Sequence, residues 1–117
     1  MVENRDSQSD RSSNYLAIFA GGIGFLTVGL GAFAAHMLDG TFSESAADWR
    51  NTATLYGLSH AVAAFSCALG PSRFRRAGWA FALGAFLFGA SLHALALGAP
   101  RIVGAITPLG GLSLLAG

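Results

Sequence analysis

Four stretches of the chain contain no Asp, Glu, Lys or Arg, and they constrain its fold more than any other feature. A helix needs about 20 predominantly apolar residues to cross the roughly 30 Å hydrocarbon core of a bilayer. The first and third stretches meet this length, the second is slightly shorter, and the fourth would rise about 24 Å as a helix. We therefore predict an all-α integral membrane protein, a four-helix bundle with four spans. The predicted spans cover about residues 15–38, 52–69, 77–97 and 102–117.

The composition excludes several classes of protein. Only 11% of the 117 residues are charged, against about 25% in a typical soluble domain, so the chain lacks the charge to cover a water-facing surface. A net charge of +1 gives no reason to expect nucleic acid among its partners. Cys67 is the single cysteine, so the sequence predicts neither a disulfide within the chain nor a cysteine zinc site.

The connections between the spans indicate an orientation. Arg73, Arg75 and Arg76 form the one strongly basic connection, between the second and third spans. The positive-inside rule places such a connection in the cytoplasm. Both termini then lie inside (N-in/C-in), and residues 39–51 and 98–101 lie outside. A single arginine in each outer connection opposes this assignment weakly.

The first 14 residues, MVENRDSQSDRSSN, are too polar to be buried. We expect a flexible polar tail at residues 1–14, followed by a membrane domain at residues 15–117. A signal peptide is the alternative interpretation of the first span, because residues 32–34 (AFA) resemble a small-residue cleavage site. The apolar run is longer than the about 7–15 residues of a signal-peptide core, and the segment before it is acidic rather than basic.

Small residues at helical spacing predict faces on which the helices pack. Lipid tails are as apolar as leucine, so membrane helices associate by close packing, and small residues permit two backbones to approach. An alanine- and glycine-rich composition also produces such spacings by chance, and this alternative is stronger outside the third span. The predicted packing residues are Ala17, Gly24, Gly31, Gly78, Ala82, Ala85, Gly89, Ala90, Ala94 and Gly98.

Three histidines fall in the spans, and an ionisable side chain within a membrane is a candidate for function. His36, His60 and His93 all lie in the half of the bundle assigned to the outside. Imidazole suits a haem or metal site or a proton path. Their staggered depths and the lack of a carboxylate within a span favour neutral histidines that hydrogen-bond Tyr56, a serine or a backbone carbonyl. Asp39 is the only acid near enough for a supporting role at His36.

Four segments occur in an order that resembles a known family. They are GAFAAHML at residues 31–38, TATLYGLSHAVA at 52–63, AGWAFALGAFLFGASLHAL at 77–95 and GAITPLGGLSLLAG at 104–117. Together they resemble the uncharacterised membrane-protein family called domain of unknown function 423, whose animal relatives are called transmembrane protein 256. The resemblance extends from about residue 22 to residue 117. It implies a small four-helix inner-membrane protein of unknown function and no particular reaction.

The resemblance is closer at some positions than at others. His36 and His60 match the family's pattern, and the resemblance makes them weak candidates for a cofactor site. Ala34 stands where glycine is usual, Gly57 where a glutamine often follows the tyrosine, and His93 where tyrosine is common. His93 is therefore expected to be a polar packing residue. For His36 we expect a role in fixing the contact between the first and second spans.

The segment ITPLGG at residues 106–111 predicts an interrupted fourth span. Pro108 lacks a backbone donor and kinks the interior of a helix, and we expect Thr107 or a neighbouring helix to satisfy the freed carbonyl. Gly110 and Gly111 permit a further bend or a close contact with the first span. The functional alternative is a broken helix at a binding site, as transporters use.

The sequence contains no convincing acid–base pair, activated nucleophile, phosphate-binding loop or metal cluster. We therefore expect neither an enzyme nor a bound cofactor. The small-residue faces favour an accessory or structural subunit of the inner membrane that packs on a larger complex. Its partners are then membrane lipids and other integral membrane proteins, and the same faces also allow a homo-oligomer. The alternatives are a cofactor, quinone or proton-handling protein that uses His36 and His60 and, more weakly, a small-solute transporter or channel.

Overall fold

The computed structural model describes residues 2–38 and 40–117, and these residues form helices and connections without a strand. The all-α prediction is confirmed. Short 3-10 helices, Ser72–Phe74 and Arg101–Ala105, precede the last two α-helices. The four α-helices are α1 (Val2–Met37), α2 (Glu44–Leu69), α3 (Arg75–Ala96) and α4 (Thr107–Ala116).

Three of these helices are long and apolar enough to cross a membrane. They are α1, α2 and the segment Ser72–Ala96 that contains α3, whereas Arg101–Ala116 is apolar but shorter. α4 has 10 residues and rises about 15 Å, roughly half the thickness of the hydrocarbon core. The fourth predicted span is therefore present as a 3-10 helix followed by a short α-helix.

α1 begins well before the predicted first span. A flexible tail was expected at residues 1–14, but α1 runs without a break from Val2, while Met1 lies outside the described residues. Extending an existing helix adds a hydrogen bond per residue without the cost of nucleation, so a long apolar helix can continue into a polar segment. The Ser13 hydroxyl also donates to the Ala68 carbonyl oxygen at 2.5 Å. This bond ties α1 to the last turn of α2.

α2 also begins earlier than its predicted span, at Glu44. The Ser43 side chain accepts a hydrogen bond from the Ala46 backbone N–H at 3.2 Å, as N-cap residues do for a free donor of the first turn. Most of the outer connection expected at residues 39–51 is therefore helical. Arg50 consequently lies in the second turn of a helix rather than in a loop.

The core is built mainly from small residues where α3 meets α1 and α2. A Cβ atom added at Gly78 would lie 2.6 Å from Leu16 Cδ2 and 2.8 Å from Cys67 Cβ. The three helices meet there because Gly78 has no side chain. α2 contributes a stripe of buried small residues at helical spacing that is additional to the predicted packing faces: Ala53, Gly57, Ala61, Ala64 and Ala68.

Some of the predicted packing residues lie in this core. Gly78, Ala82, Ala85 and Gly89 are buried on one face of α3, and Ala17 packs against the buried cluster. The spacing of Gly78, Ala82 and Ala85 therefore coincides with a contact face, whereas a Cβ atom added at Gly89 would meet no atom within 4 Å.

The remaining predicted packing residues are less enclosed. Cβ atoms added at Gly24 and Gly31 would make ordinary contacts with α2, 3.8 Å from Ala61 and 3.9 Å from Thr54. Ala94 is half-buried, and Ala90 and Gly98 are exposed.

Gly98 ends a helix rather than packing on one. It follows α3 with φ of 93°, and the Ala99 N–H donates to the Ala94 carbonyl oxygen at 2.9 Å. Glycine commonly adopts this left-handed conformation just after a helix, because it has no Cβ to clash. The predicted packing role of Gly98 is therefore replaced by a capping role.

α4 packs on a second face of α3, and its contacts correct three expectations. Pro108 lies in the first turn of α4, where a helix has no use for the missing donor, so it starts a helix instead of kinking one. Gly110 approaches α3 and not the first span, since an added Cβ would lie 2.5 Å from the Phe88 backbone nitrogen. Thr107, expected at a freed carbonyl, has its Oγ1 2.7 Å from Ser91 Oγ.

The arginine-rich segment at residues 73–76 contacts the C-terminal end of α2. Arg75 Nη1 donates to the Ala68 carbonyl oxygen at 2.9 Å, and a cation is favourable at a helix C-terminus. The Arg73 guanidinium lies over the Phe74 ring, 4.8 Å from its centroid, and Arg76 is exposed. The cytoplasmic location of this end stays a prediction.

Candidate functional site

His36 lies on the side of α1 that faces away from the other helices. The buried face of α1 includes Leu16, Ile23 and Thr27. His36 follows Thr27 by about 2.5 helical turns, which places it on the opposite side. Its side chain is exposed, and the hydrogen bonds found for histidine among the described residues involve the other two. Asp39, its expected neighbour, lies outside the described residues. His36 was expected to fix the contact between the first two spans, but it makes no hydrogen bond to a described residue of α2.

His60 lies in an aromatic cluster between α2 and α3. Its Nδ1 donates to the Tyr56 carbonyl oxygen at 2.9 Å, and the two rings stack with centroids 6.0 Å apart. Phe81 of α3 lies 5.6 Å from the His60 ring, and Phe88 lies 5.4 Å from the Tyr56 ring, centroid to centroid. His60 and Tyr56 therefore join α2 to α3.

Arg50 of α2 and His93 of α3 line one small cavity at the end of the molecule near the α1–α2 connection. The cavity has a volume of about 80 Å³, and its other lining residues are apolar, among them Leu30, Phe33 and Phe42. Arg50 Nε and His93 Nε2 are buried without a hydrogen-bond partner. Within the described parts of the chain, no other buried side-chain nitrogen or oxygen atom lacks a partner.

The second ring nitrogen of His93 fixes its tautomer. Nδ1 lies 2.9 Å from the Gly89 carbonyl oxygen, and because a carbonyl oxygen only accepts, Nδ1 carries the proton. In the neutral ring, Nε2 then presents a lone pair. The cavity thus holds a hydrogen-bond acceptor at His93 and a permanently charged donor at Arg50.

The three histidines occupy three separate places. His36 is on the exposed side of α1, His60 is in the aromatic cluster, and His93 is in the cavity. In the stretches that the structure describes, no three His, Cys, Asp or Glu side chains are grouped so that they could hold a metal ion. His36 and His60, the two weak cofactor candidates, therefore do not share a site.

Sequence reasoning missed Arg50 and assigned His93 to packing alone. A signal for Arg50 was present, because it is the single basic residue in an otherwise acidic connection. Ser43, a residue type common at helix starts, indicates that α2 begins at Glu44, six residues before Arg50. That early start places the arginine beside the apolar part of the bundle.

A second feature is the outward face of α1, formed by Ile18, Gly22, Phe25, Gly29 and His36. Ile18 is 72% exposed and Phe25 is 78% exposed. A Cβ atom added at Gly22 or Gly29 would meet no other atom within 4 Å. The described part of the chain therefore leaves the outward face uncovered.

The sequence matches the model of the family described as "Protein of unknown function (DUF423)" over residues 30–111. It is 38% identical over 112 residues to the UPF0382 inner membrane protein YgdD of Escherichia coli (strain K12), with 91% of this chain and 85% of the relative covered. It is also 38% identical over 96 residues to the UPF0382 membrane protein YwdK of Bacillus subtilis (strain 168), with 77% and 78% covered. No solved structure is significantly similar to the chain.

The family match includes both the cavity and the aromatic cluster. The matched residues 30–111 contain all of α2 and α3, which carry Arg50, His60 and His93. The three long apolar helices agree with the membrane location in the names of the relatives. The chain belongs to the DUF423 family, and it is a multi-pass protein of the inner membrane.

Proposed function

We propose that this protein is an accessory subunit that packs, through the outward face of α1, against another integral membrane protein. The observation that carries the proposal is the presence of Gly22, Gly29 and His36 together on one exposed helix face. The three residues are spaced seven apart, which keeps them within about 40° of one another around the helix.

Each of these residues is unfavourable on a helix that faces only lipid. Glycine within a helix costs about 1 kcal/mol relative to alanine, and neither glycine gains a contact within the described chain. An ionisable side chain near the end of a membrane span also costs some free energy, although less than at mid-span, and is normally paired. A partner helix removes both costs, because small residues permit close approach and an imidazole can hydrogen-bond across the interface.

The helices of this chain use glycine for contacts of the same kind. A Cβ at Gly78 would lie 2.6 Å from Leu16 Cδ2, and a Cβ at Gly110 would lie 2.5 Å from the Phe88 nitrogen. The close approach at both places depends on the missing side chain. Gly22 and Gly29 permit the same approach where this chain supplies no neighbour, which favours a neighbour from a second protein.

Photo-crosslinking in native membranes tests the proposal. A photoreactive phenylalanine analogue replaces Phe25 in the tagged full-length chain, and the adducts are identified by mass spectrometry after irradiation. We expect a discrete adduct with one membrane protein. The same analogue at Leu115, which is 86% exposed on α4, is the matched control and is expected to give no such adduct.

Variants of the two glycines separate association from folding. Gly22→Leu and Gly29→Leu improve helix propensity by up to about 1 kcal/mol, so we expect unchanged or higher stability in detergent. We also expect loss of the Phe25 adduct and of the co-purified partner, whereas Ala116→Leu on α4 retains both. Full retention in both glycine variants would contradict the proposal. An adduct with the mass of two copies of this chain would show a homo-oligomer instead of an accessory subunit.

A further inference from the structure

We propose that the cavity lined by Arg50 and His93 binds the head group of an anionic phospholipid that carries a free hydroxyl, such as phosphatidylglycerol. The inference is independent of the proposed partner of α1, because the cavity lies between α1, α2 and α3 and not on the outward face.

Arg50 supplies the requirement for an anion. Its guanidinium carries a positive charge, and Nε is buried without a hydrogen-bond partner among the described residues. The guanidinium carbon lies 5.4 Å from the centroid of the Phe42 ring, a contact with the ring that is not a hydrogen bond. A buried charge is stable only when it is paired and hydrogen-bonded, and a phosphate oxygen is a ligand that the guanidinium geometry suits.

His93 supplies the requirement for a hydroxyl. Because Nδ1–H donates to the Gly89 carbonyl oxygen, the neutral ring presents a lone pair at the buried Nε2. A bare phosphodiester anion has no proton to donate to that lone pair. A head group with both a phosphate and an alcohol satisfies the two residues together, since the phosphate accepts from Arg50 and the hydroxyl donates to His93.

The surroundings favour a lipid over a free anion. The cavity of about 80 Å³ exceeds several-fold the roughly 10–15 Å³ that one water molecule needs, and its remaining walls are apolar. It also reaches Leu38 and Leu97, just beyond the ends of α1 and α3, a depth at which head groups meet the hydrocarbon core.

A path for an acyl chain begins at the same arginine. Arg50 also lines an open groove of about 830 Å³ between α1 and α2. Gly31 and Ala35 line it from α1, and Leu58 and Val62 line it from α2. Arg50 therefore borders both the cavity and an apolar groove on the surface of the molecule, and we place an acyl chain of the bound lipid in this groove.

Native mass spectrometry and thermal unfolding of the full-length chain in detergent test the proposal. The chain is titrated with phosphatidylglycerol, phosphatidylcholine or inorganic phosphate, and the retained molecules and the shift in unfolding temperature are measured. We expect retention and a positive shift with phosphatidylglycerol only. An equal effect of phosphatidylcholine, or of phosphate alone, would overturn the lipid head-group assignment.

Variants locate the effect in the cavity. Losing a hydrogen bond to a charged group is expected to weaken phosphatidylglycerol binding about tenfold or more in Arg50→Gln. We expect a loss of preference for phosphatidylglycerol in His93→Phe and its partial return in His93→Gln, which keeps an acceptor oxygen. Arg101→Gln is the matched control, because Arg101 is exposed and follows α3 at the same end of the molecule.

The stability of Arg50→Gln without lipid distinguishes a role of Arg50 in lipid binding from a role in folding. Arg50→Gln removes a half-buried charge whose Nε has no hydrogen-bond partner among the described residues, so the variant is expected to be as stable as the parent before lipid is added. A large loss of stability in that state would assign Arg50 to the fold. Unchanged lipid binding in both Arg50→Gln and His93→Phe would likewise overturn the proposal.

Discussion

Gly110 and Gly111 are adjacent in α4, yet their surroundings differ sharply. A Cβ atom at Gly110 would lie 2.5 Å from the Phe88 backbone nitrogen and 2.9 Å from its Cα. The backbone of α3 cannot turn aside as a flexible side chain can. A Cβ at Gly111 would meet its nearest atom, Phe88 Cδ2, at 3.9 Å. The close contact between α3 and α4 therefore depends on one glycine of the pair.

We expect Gly110→Ala to lower the free energy of unfolding by about 2 kcal/mol, because overpacking a close contact typically costs about 1–3 kcal/mol. Gly111→Ala is the control, and it is expected to be neutral or to stabilise by up to about 1 kcal/mol through helix propensity. Reversible unfolding in mixed micelles measures both. Equal effects of the two substitutions would show that α4 does not pack as closely as described.

The sequence located both glycines but not the difference between them. Their position just after Pro108 indicates an interruption of the fourth span or a close helix contact. Which helix they face depends on how the chain turns between α3 and α4. The same limit explains His36 and His93. Both fall near the ends of apolar runs, but only the packed structure shows that one is exposed and the other lines a cavity.

At the scale of the helices, α3 and α4 are joined by a pair of hydroxyls, one buried on α3 and one half-buried on α4. Ser91 is 3% exposed and donates to the Phe88 carbonyl oxygen at 3.0 Å. Its single proton is then committed, so the Thr107 hydroxyl donates to Ser91 Oγ across 2.7 Å. Ser113 adds a second link, because its hydroxyl donates to the Ala80 carbonyl oxygen at 2.8 Å.

A double-mutant cycle of Ser91→Ala and Thr107→Val measures the first link. We expect a coupling free energy of about 0.6 kcal/mol, with about 1.7 kcal/mol as the upper range for such pairs between membrane helices. A second cycle pairs Thr107→Val with Ser66→Ala. The Ser66 hydroxyl donates to the Val62 carbonyl oxygen within its own helix. That cycle is expected to show no coupling. A coupling free energy of zero in the first cycle as well would show that the hydroxyl pair does not stabilise the packing of α4 on α3.

The sequence predicts that these helices exist, but it does not predict where several of them begin. The apolar length of a span depends on the thickness of the hydrocarbon core, which is about 30 Å in a typical bilayer, so the sequence predicts α1, α2 and α3. Their starts depend on local chemistry instead. Ser43 caps α2 well before its apolar part, and the helical geometry of α1 continues through polar residues as far as Val2.

At the scale of the whole molecule, the packing is asymmetric. The chain measures 57 × 27 × 17 Å, and α3 contacts α1, α2 and α4. α4 therefore forms one edge of a flat bundle, while the outward face of α1 lies on another side. Such a shape leaves much apolar surface to lipids and partners. The orientation predicted for it in the membrane rests on Arg73, Arg75 and Arg76, at and just before the start of α3.

Cysteine labelling tests that orientation in cells that express the chain. Cys67→Ala first removes the native thiol, and Ser45→Cys, Ser72→Cys and Ala116→Cys are then introduced singly at exposed positions. The positive-inside rule leads us to expect labelling of Ser45→Cys by a membrane-impermeant maleimide in intact cells. The other two variants are expected to react only after the membrane is opened, because both positions then face the cytoplasm. Labelling of Ser72→Cys in intact cells would reverse the orientation. Labelling of both Ser45→Cys and Ala116→Cys in intact cells, without Ser72→Cys, would show that Arg101–Ala116 does not cross. Because Arg50 and His93 lie at the same end of the molecule as Ser45, the result also assigns the proposed lipid site to one leaflet.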